Sequence, residues 1–150
     1  MTTATTFDWG LLIATSEYDA LVAIRDAVRE GNFTEAETGL QEFIETVARH
    51  QFNSVRSHLK QLMAHVLKWK IQPLHRSGSW SSTIINARDE IFELQLAVPS
   101  ITDDDLRDMW DGVFQKAKRL AAAETGIKVT VTDLTWQEVF ETDYLLRDED

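Results

Sequence analysis

The sequence predicts an all-α, single-domain, up-and-down bundle of four to five helices, closed by a short irregular C-terminal segment. Three observations predict it. Only two prolines and six glycines punctuate 150 residues. Strand-like alternation is nearly absent. Long stretches carry apolar residues at three- and four-residue spacing, the period of a half-buried helix. One helical domain over 1–150 is an ordinary size and can bury a core without disulfides or metals.

Residues 1–15 form a lead-in segment, apolar from 6 onward, with room for a helical turn. Ser16 is placed to cap a first helix ending at Glu30, where Gly31 supplies a left-handed stop. Thr34 and Glu37 have the spacing of a capping box that opens the second helix. Beyond Leu40 no Gly or Pro interrupts the pattern before Pro73. Residues 34–71 are therefore either one very long helix or two with a kink near 50–53. Pro73 ends this element, and a loop over 74–78 follows.

Ser79 reads as the N-cap of a third helix, which starts at Trp80 and fades before Pro99. Ser100 or Thr102 caps the fourth helix. Its first turn, Asp103-Asp104-Asp105, suits the positive end of the helix dipole. It runs to Thr125, and Gly126 stops it. Residues 128–132 alternate like a strand but have no evident partner. Residues 136–144 read as a last helical turn or two, and 145–150 as a frayed polar tail.

Helical-wheel positions sort core from edge. Val55, Leu59, Leu62 and Val66 form the stripe of the second helix, with His58, His65 and Trp69 along one edge and Gln72 just beyond. On the third helix Trp80, Ile84, Ala87, Ile91 and Leu94 share a face, widened by Ile85 and Phe92. Arg88 falls inside that arc and needs a partner there. Leu106, Trp110, Val113, Ala117, Leu120 and Ala121 form the stripe of the fourth helix. Glu124 continues it, so an Arg88–Glu124 ion pair is the simplest expectation.

Charge is unevenly spread. The chain carries a net charge of −10, yet residues 46–88 contain no Asp or Glu. That stretch holds Arg49, Arg56, Lys60, Lys68, Lys70, Arg76, Arg88 and all four histidines. Either acidic helices fold over a basic middle, or the stretch forms an anion-binding surface. The overall acidity argues against nucleic-acid or anionic-membrane binding. No window reaches the length of a membrane span, and residues 1–6 lack the basic start of a signal peptide.

Cysteine is absent, which excludes disulfides, thiolate metal sites and a cysteine nucleophile. A metal site at His58 and His65 would need a third ligand that the stretch does not offer, so no metal and no cofactor are expected. A cytoplasmic protein is the default. The sequence has no dinucleotide or phosphate-loop fingerprint. Arg76-Ser77-Gly78-Ser79 before a helix start is a candidate anion cradle, against the alternative of simple capping with Arg76 solvated.

Arg56, then His65-Val66-Leu67-Lys68-Trp69, Gln72-Pro73, Arg76-Ser77-Gly78-Ser79-Trp80, Thr83-Ile84 and Arg88 resemble a bacterial family called domain of unknown function 29. Pro99-Ser100 and Ala121-Ala122-Ala123-Glu124-Thr125-Gly126 are similar to its later motifs. The resemblance spans about 31–126. The N-terminal part departs from the family's Tyr-x-x-Asp-Phe opening and Glu-Glu-Ile-Glu run: here stand Ser16-Glu17-Tyr18-Asp19 and Gln41-Glu42-Phe43-Ile44-Glu45. The resemblance implies a helical bundle in a bacterial cytoplasm and no particular activity.

Three functional readings follow. The first is a binding module whose pocket joins His65, Lys68, Trp69, Gln72, Arg76, Ser79, Trp80, Thr83, Arg88 and Glu124. Trp69 and Trp80 would be its walls, and a small anion or an acidic segment of a protein partner its ligand. The second is a hydrolase-like enzyme, with His65 as acid or base and Arg88 as anion stabiliser. The third is a structural role, with a homodimer formed through exposed Trp136 and Phe140.

Overall fold

A computed structural model describes residues 7–147 of the chain, which is all-α as the sequence predicts. The reading of residues 1–6 and most of the expected frayed tail lie outside the described residues. Among the described residues there is no strand. Two compact units divide the chain, Met1–Gln51 and Phe52–Asp150.

The first unit holds α1 (Trp9–Thr15), α2 (Glu17–Arg29) and the opening of α3 (Phe33–Ile71). Asp8 and Ser16 cap α1 and α2 through side-chain oxygens that accept backbone N–H bonds. The α2 stop has the expected glycine. Gly31 takes φ 75°, and its N–H and that of Asn32 bond back to the carbonyls of Val28 and Ala27. Trp9, Ile13, Ala20, Ile24, Ala27 and Ala36 form this unit's core. The Trp9 indole N–H donates to Glu35 at 2.7 Å. The Trp9 ring lies against Gly39, where an added Cβ would stand 2.7 Å from it.

The second unit holds the rest of α3, a 3-10 turn at Pro73–His75, α4 (Gly78–Ala97), α5 (Asp103–Thr125) and α6 (Trp136–Phe140). The expected stripe of Val55, Leu59, Leu62 and Val66 is fully buried. Ile84, Ala87 and Ile91 of α4 and Leu106, Val113, Phe114, Ala117 and Ala121 of α5 close on it. Thr102 and Asp105 form a capping box on α5, and Gly126 ends it at φ 70°. Residues 128–132 are irregular, with Val129 buried in the same core.

The sequence left one long helix or two open, and α3 is a single helix of 39 residues. Three local expectations are corrected. α3 opens at Phe33, so Thr34 lies inside the first turn and is no cap. α4 opens at Gly78, with Ser77 and not Ser79 as N-cap; its hydroxyl accepts from the Trp80 N–H at 3.2 Å. The polar residue two positions earlier has the extended backbone a cap needs. Trp136 and Phe140 are not exposed: they are half-buried in an aromatic cluster with Trp110.

Gly39→Ala should destabilise the first unit. Helix propensity favours alanine by about 1 kcal/mol, but overpacking against the rigid Trp9 ring costs about 1–3 kcal/mol. Amide exchange should therefore accelerate in α1 and α2 while α5 amides keep their protection.

Candidate functional site

Of the ten residues singled out by sequence, Lys68, Trp80 and Glu124 meet in one contact cluster of the second unit and Trp69 and Arg88 in another, while Gln72, Ser79 and Thr83 join neither. The first centres on Lys68, which is 7% exposed. Its ammonium group meets Glu124 Oε2 at 2.5 Å and lies 5.2 Å from the centre of the Trp80 ring. A buried ammonium requires such partners, because leaving water is costly for a charge. Glu124 remains 40% exposed at its side chain. It stands at the C-terminal end of α5, where a core stripe meets solvent.

His65 sits one turn before Lys68, half-buried. Its Nδ1 donates to the Gln61 carbonyl at 2.8 Å. A carbonyl only accepts, so this bond places the proton on Nδ1 and leaves the Nε2 lone pair as the ring's available base. Burial pushes the His65 pKa down, and the Lys68 charge adds to that; the Gln61 bond and the Glu124 charge oppose it. The ring is thus neutral near pH 7. Among the described residues no hydroxyl or carboxylate is hydrogen-bonded to it.

The second cluster gathers around Tyr144. Trp69 packs edge-on to the Tyr144 ring at 5.7 Å. Arg88 lies 5.6 Å from the same ring. Its guanidinium donates to the carbonyls of Val139 at 2.8 Å, Thr142 at 2.7 Å and Glu138 at 3.4 Å. The expected Arg88–Glu124 pair is therefore corrected. Arg88 binds backbone, and Glu124 binds Lys68. The need for a partner was read correctly, but carbonyls left over at a helix end answer it as well as a carboxylate. Burial lowers the Arg88 pKa, with Tyr144 and Asp143 opposing.

The same segment is held at other points. Ser81, itself buried, donates to the Tyr144 carbonyl. The Tyr144 hydroxyl donates to the Glu138 carbonyl at 2.7 Å. Lys70 pairs with the Glu138 carboxylate, which also completes the capping box of α6 with Thr135. Burial pushes the Glu138 pKa up, but the bonds from Lys70 and Thr135 outweigh it and hold the carboxyl below its usual range.

The loop residues have local roles. Arg76 donates from Nε to the Trp69 carbonyl at 2.9 Å, and its guanidinium lies 4.9 Å from the Trp69 ring. It caps the end of α3 and is turned toward Trp69. Gln72 precedes the 3-10 turn and makes no side-chain cap bond. Thr83 donates to the Ser79 carbonyl one turn back, and Ser79 itself is exposed.

A further arrangement was missed by the wheels. Asn53, Arg56, Ser57 and Lys60 of α3 face Val113 and Lys116 of α5 across a groove of about 260 Å³. No carboxylate lines it. Among the described residues, none of its three cations forms an ion pair. Asn53 accepts from the Arg56 guanidinium at 3.1 Å and orients it. Arg56 also lines a neighbouring groove together with Asp105 and Asp108. Farther along α5, Lys118 and Arg119 share a groove of about 230 Å³ with Lys128. The acid-free run around Arg56 and Lys60 was the available signal. The contribution of α5 was not legible, because Lys116 joins Arg56 and Lys60 only once the two helices pack side by side.

Among the described residues there is no cluster of three His, Asp or Glu side chains able to hold a metal. No helix among them is long and apolar enough to cross a membrane. These features define an all-α chain with a clasped C-terminal segment and a basic α3–α5 groove. The model of the family described as Domain of unknown function DUF29 matches residues 22–148, and the chain belongs to that family. No curated protein and no solved structure matches the chain.

Arg88→Met should cost about 3 kcal/mol, because it removes charge-assisted bonds and leaves carbonyls unpaired. Arg88→Lys should recover only part of this, since an ammonium lacks the guanidinium fork. Urea unfolding would read both; equal stability of Arg88→Met and wild type would remove the clasp. For His65 the folded pKa lies below the unfolded value. Its stabilising contribution is complete above the ordinary histidine pKa and is lost as pH falls from there through the lowered folded pKa. His65→Gln should flatten the loss of stability between about pH 7.5 and about pH 5.5. An unchanged pH slope in that variant would contradict the assignment.

Proposed function

We propose that this chain is a binding module for an anion or an acidic segment of a protein partner, seated at the α3–α5 groove. The observation that supports this is the set of three cations, Arg56, Lys60 and Lys116, around a cleft without a carboxylate. Ser57 and Asn53 add hydrogen-bonding groups, and Val113 gives an apolar floor. Carboxylates or phosphate groups would exchange water for charge-assisted bonds there. Lys68, Arg76 and Arg88 already have partners inside the second unit. This shifts the site from the loop before α4 to the middle of α3.

Lys118, Arg119 and Lys128 extend the basic surface, which favours a segment with several acids over a single small ion. The family resemblance and the cysteine-free sequence support a bacterial cytoplasmic setting for this module.

The test is a thermal-shift series with inorganic phosphate, citrate and a poly-glutamate peptide. A ligand at about a hundred times its dissociation constant stabilises by about 2.7 kcal/mol. The peptide should give the largest shift, and added salt should reduce it. Arg56→Glu with Lys116→Glu should abolish the shift without altering the circular dichroism spectrum. The proposal fails if no probe stabilises the wild type, or if the shift survives in the double variant.

A further inference from the structure

A second groove of the same unit has the opposite character. It lies among α4, the start of α5 and α6, and holds about 450 Å³. Leu106, Trp136 and Phe140 give it an apolar wall, and Phe92 stands beside them. Phe92 is 61% exposed, and Leu96, one turn on, is 65% exposed. A large aromatic left in water beside an apolar groove marks a surface that binding would cover.

The lips of this groove are acidic. Asp89 on α4 and Asp103 at the start of α5 both line it. Asp103 accepts a bond from Gln95 at 2.9 Å, whereas Asp89 has no ion-pair or hydrogen-bond partner among the described residues. Arg88 also lines the groove, but its guanidinium is held by three carbonyls. Asp104 and Asp105 follow Asp103 in the same turn. Asp104 pairs with Arg107, whose guanidinium lies 4.5 Å from the centre of the Trp136 ring, and Asp105 closes the capping box, so Asp89 and Asp103 carry the negative charge of this groove.

From these features we infer that the groove receives a basic amphipathic segment of a protein partner. An apolar side chain of that segment enters beside Phe92, Trp136 and Phe140, and its lysines or arginines meet Asp89 and Asp103. Charge complementarity selects this occupant. An acidic or neutral apolar segment would leave the two carboxylates facing like charge or unpaired. This site is independent of the α3–α5 groove, with the reverse charge preference.

The experiment is calorimetric titration of the full chain with three synthetic peptides of about 18 residues, helical when bound. One alternates leucine and lysine at helical spacing, one replaces lysine by glutamate, and one replaces leucine by serine. The leucine–lysine peptide should bind, and the other two should bind at least about tenfold more weakly. Phe92→Ala and Asp89→Lys should each weaken the leucine–lysine peptide by about tenfold or more. Both positions are exposed, so circular dichroism should be unchanged. Arg56→Glu with Lys116→Glu should leave this binding intact, which separates it from the anion site.

Three results would overturn the inference. Phe92→Ala and Asp89→Lys both bind the peptide as wild type does. The leucine–glutamate peptide binds equally well. Sedimentation shows a wild-type dimer that Phe92→Asp dissociates, which would make a second copy of this chain the occupant.

Discussion

The guanidinium of Arg88 holds together a part of the fold that could not stand alone. After Gly126 the described residues have no regular structure except α6, a helix of five residues. So short a helix is unstable by itself, because nucleation costs more than one turn returns. Its closing carbonyls have no partners within it. Arg88 reaches three carbonyls of this segment from α4. Tyr144, Ser81 and the Lys70–Glu138 pair then fix the chain on either side. A guanidinium half-removed from water is itself costly, and the carbonyl oxygens offset that cost with three bonds. Lysine would present a compact ammonium in place of the planar fork.

This use of Arg88 clarifies the acid-free run at 46–88. Its cations serve two different ends. Lys68 and Lys70 are matched by acids from later in the chain, Glu124 and Glu138. Arg76 and Arg88 are matched by backbone carbonyls. Arg56 and Lys60 have no such match and face Lys116 instead. The run's composition therefore divides between matched and unmatched cations. Acidic elements do fold over its C-terminal half, and its N-terminal half keeps a basic surface.

The helices were legible because their signals are local. Ser16, Gly31, Pro73, Thr102 and Gly126 each act on their own backbone, and each marks a boundary within a residue or two. The core stripe of α3 was equally legible, since Val55, Leu59, Leu62 and Val66 repeat with the helical period. The choice between Ser77 and Ser79 was not, because both hydroxyls stand at the same helix start and the extended backbone of Ser77 marks the cap. The partners of Arg88 lie in Val139 and Thr142, 51 and 54 residues away. Those partners are carbonyls, which every residue has, so no side chain announced them. Glu124 was identified as needing a cation, but the wheels could not distinguish Arg88 from Lys68. The α3–α5 groove needed two helices brought side by side before its charges could be seen as one set.

The net charge of −10 is a weak guide to what such a molecule can bind. At physiological ionic strength charges are screened beyond about 8 Å. A ligand seated in the α3–α5 groove therefore feels Arg56, Lys60 and Lys116 far more than the distant acids. A segment seated beside Phe92 feels Asp89 and Asp103 in the same way. The overall charge acts on the approach, where at low salt it slows an acidic partner and speeds a basic one. Once contact is made, the local set decides the outcome. An acidic chain can in this way keep a basic face, because its acids are matched or placed elsewhere on the helices.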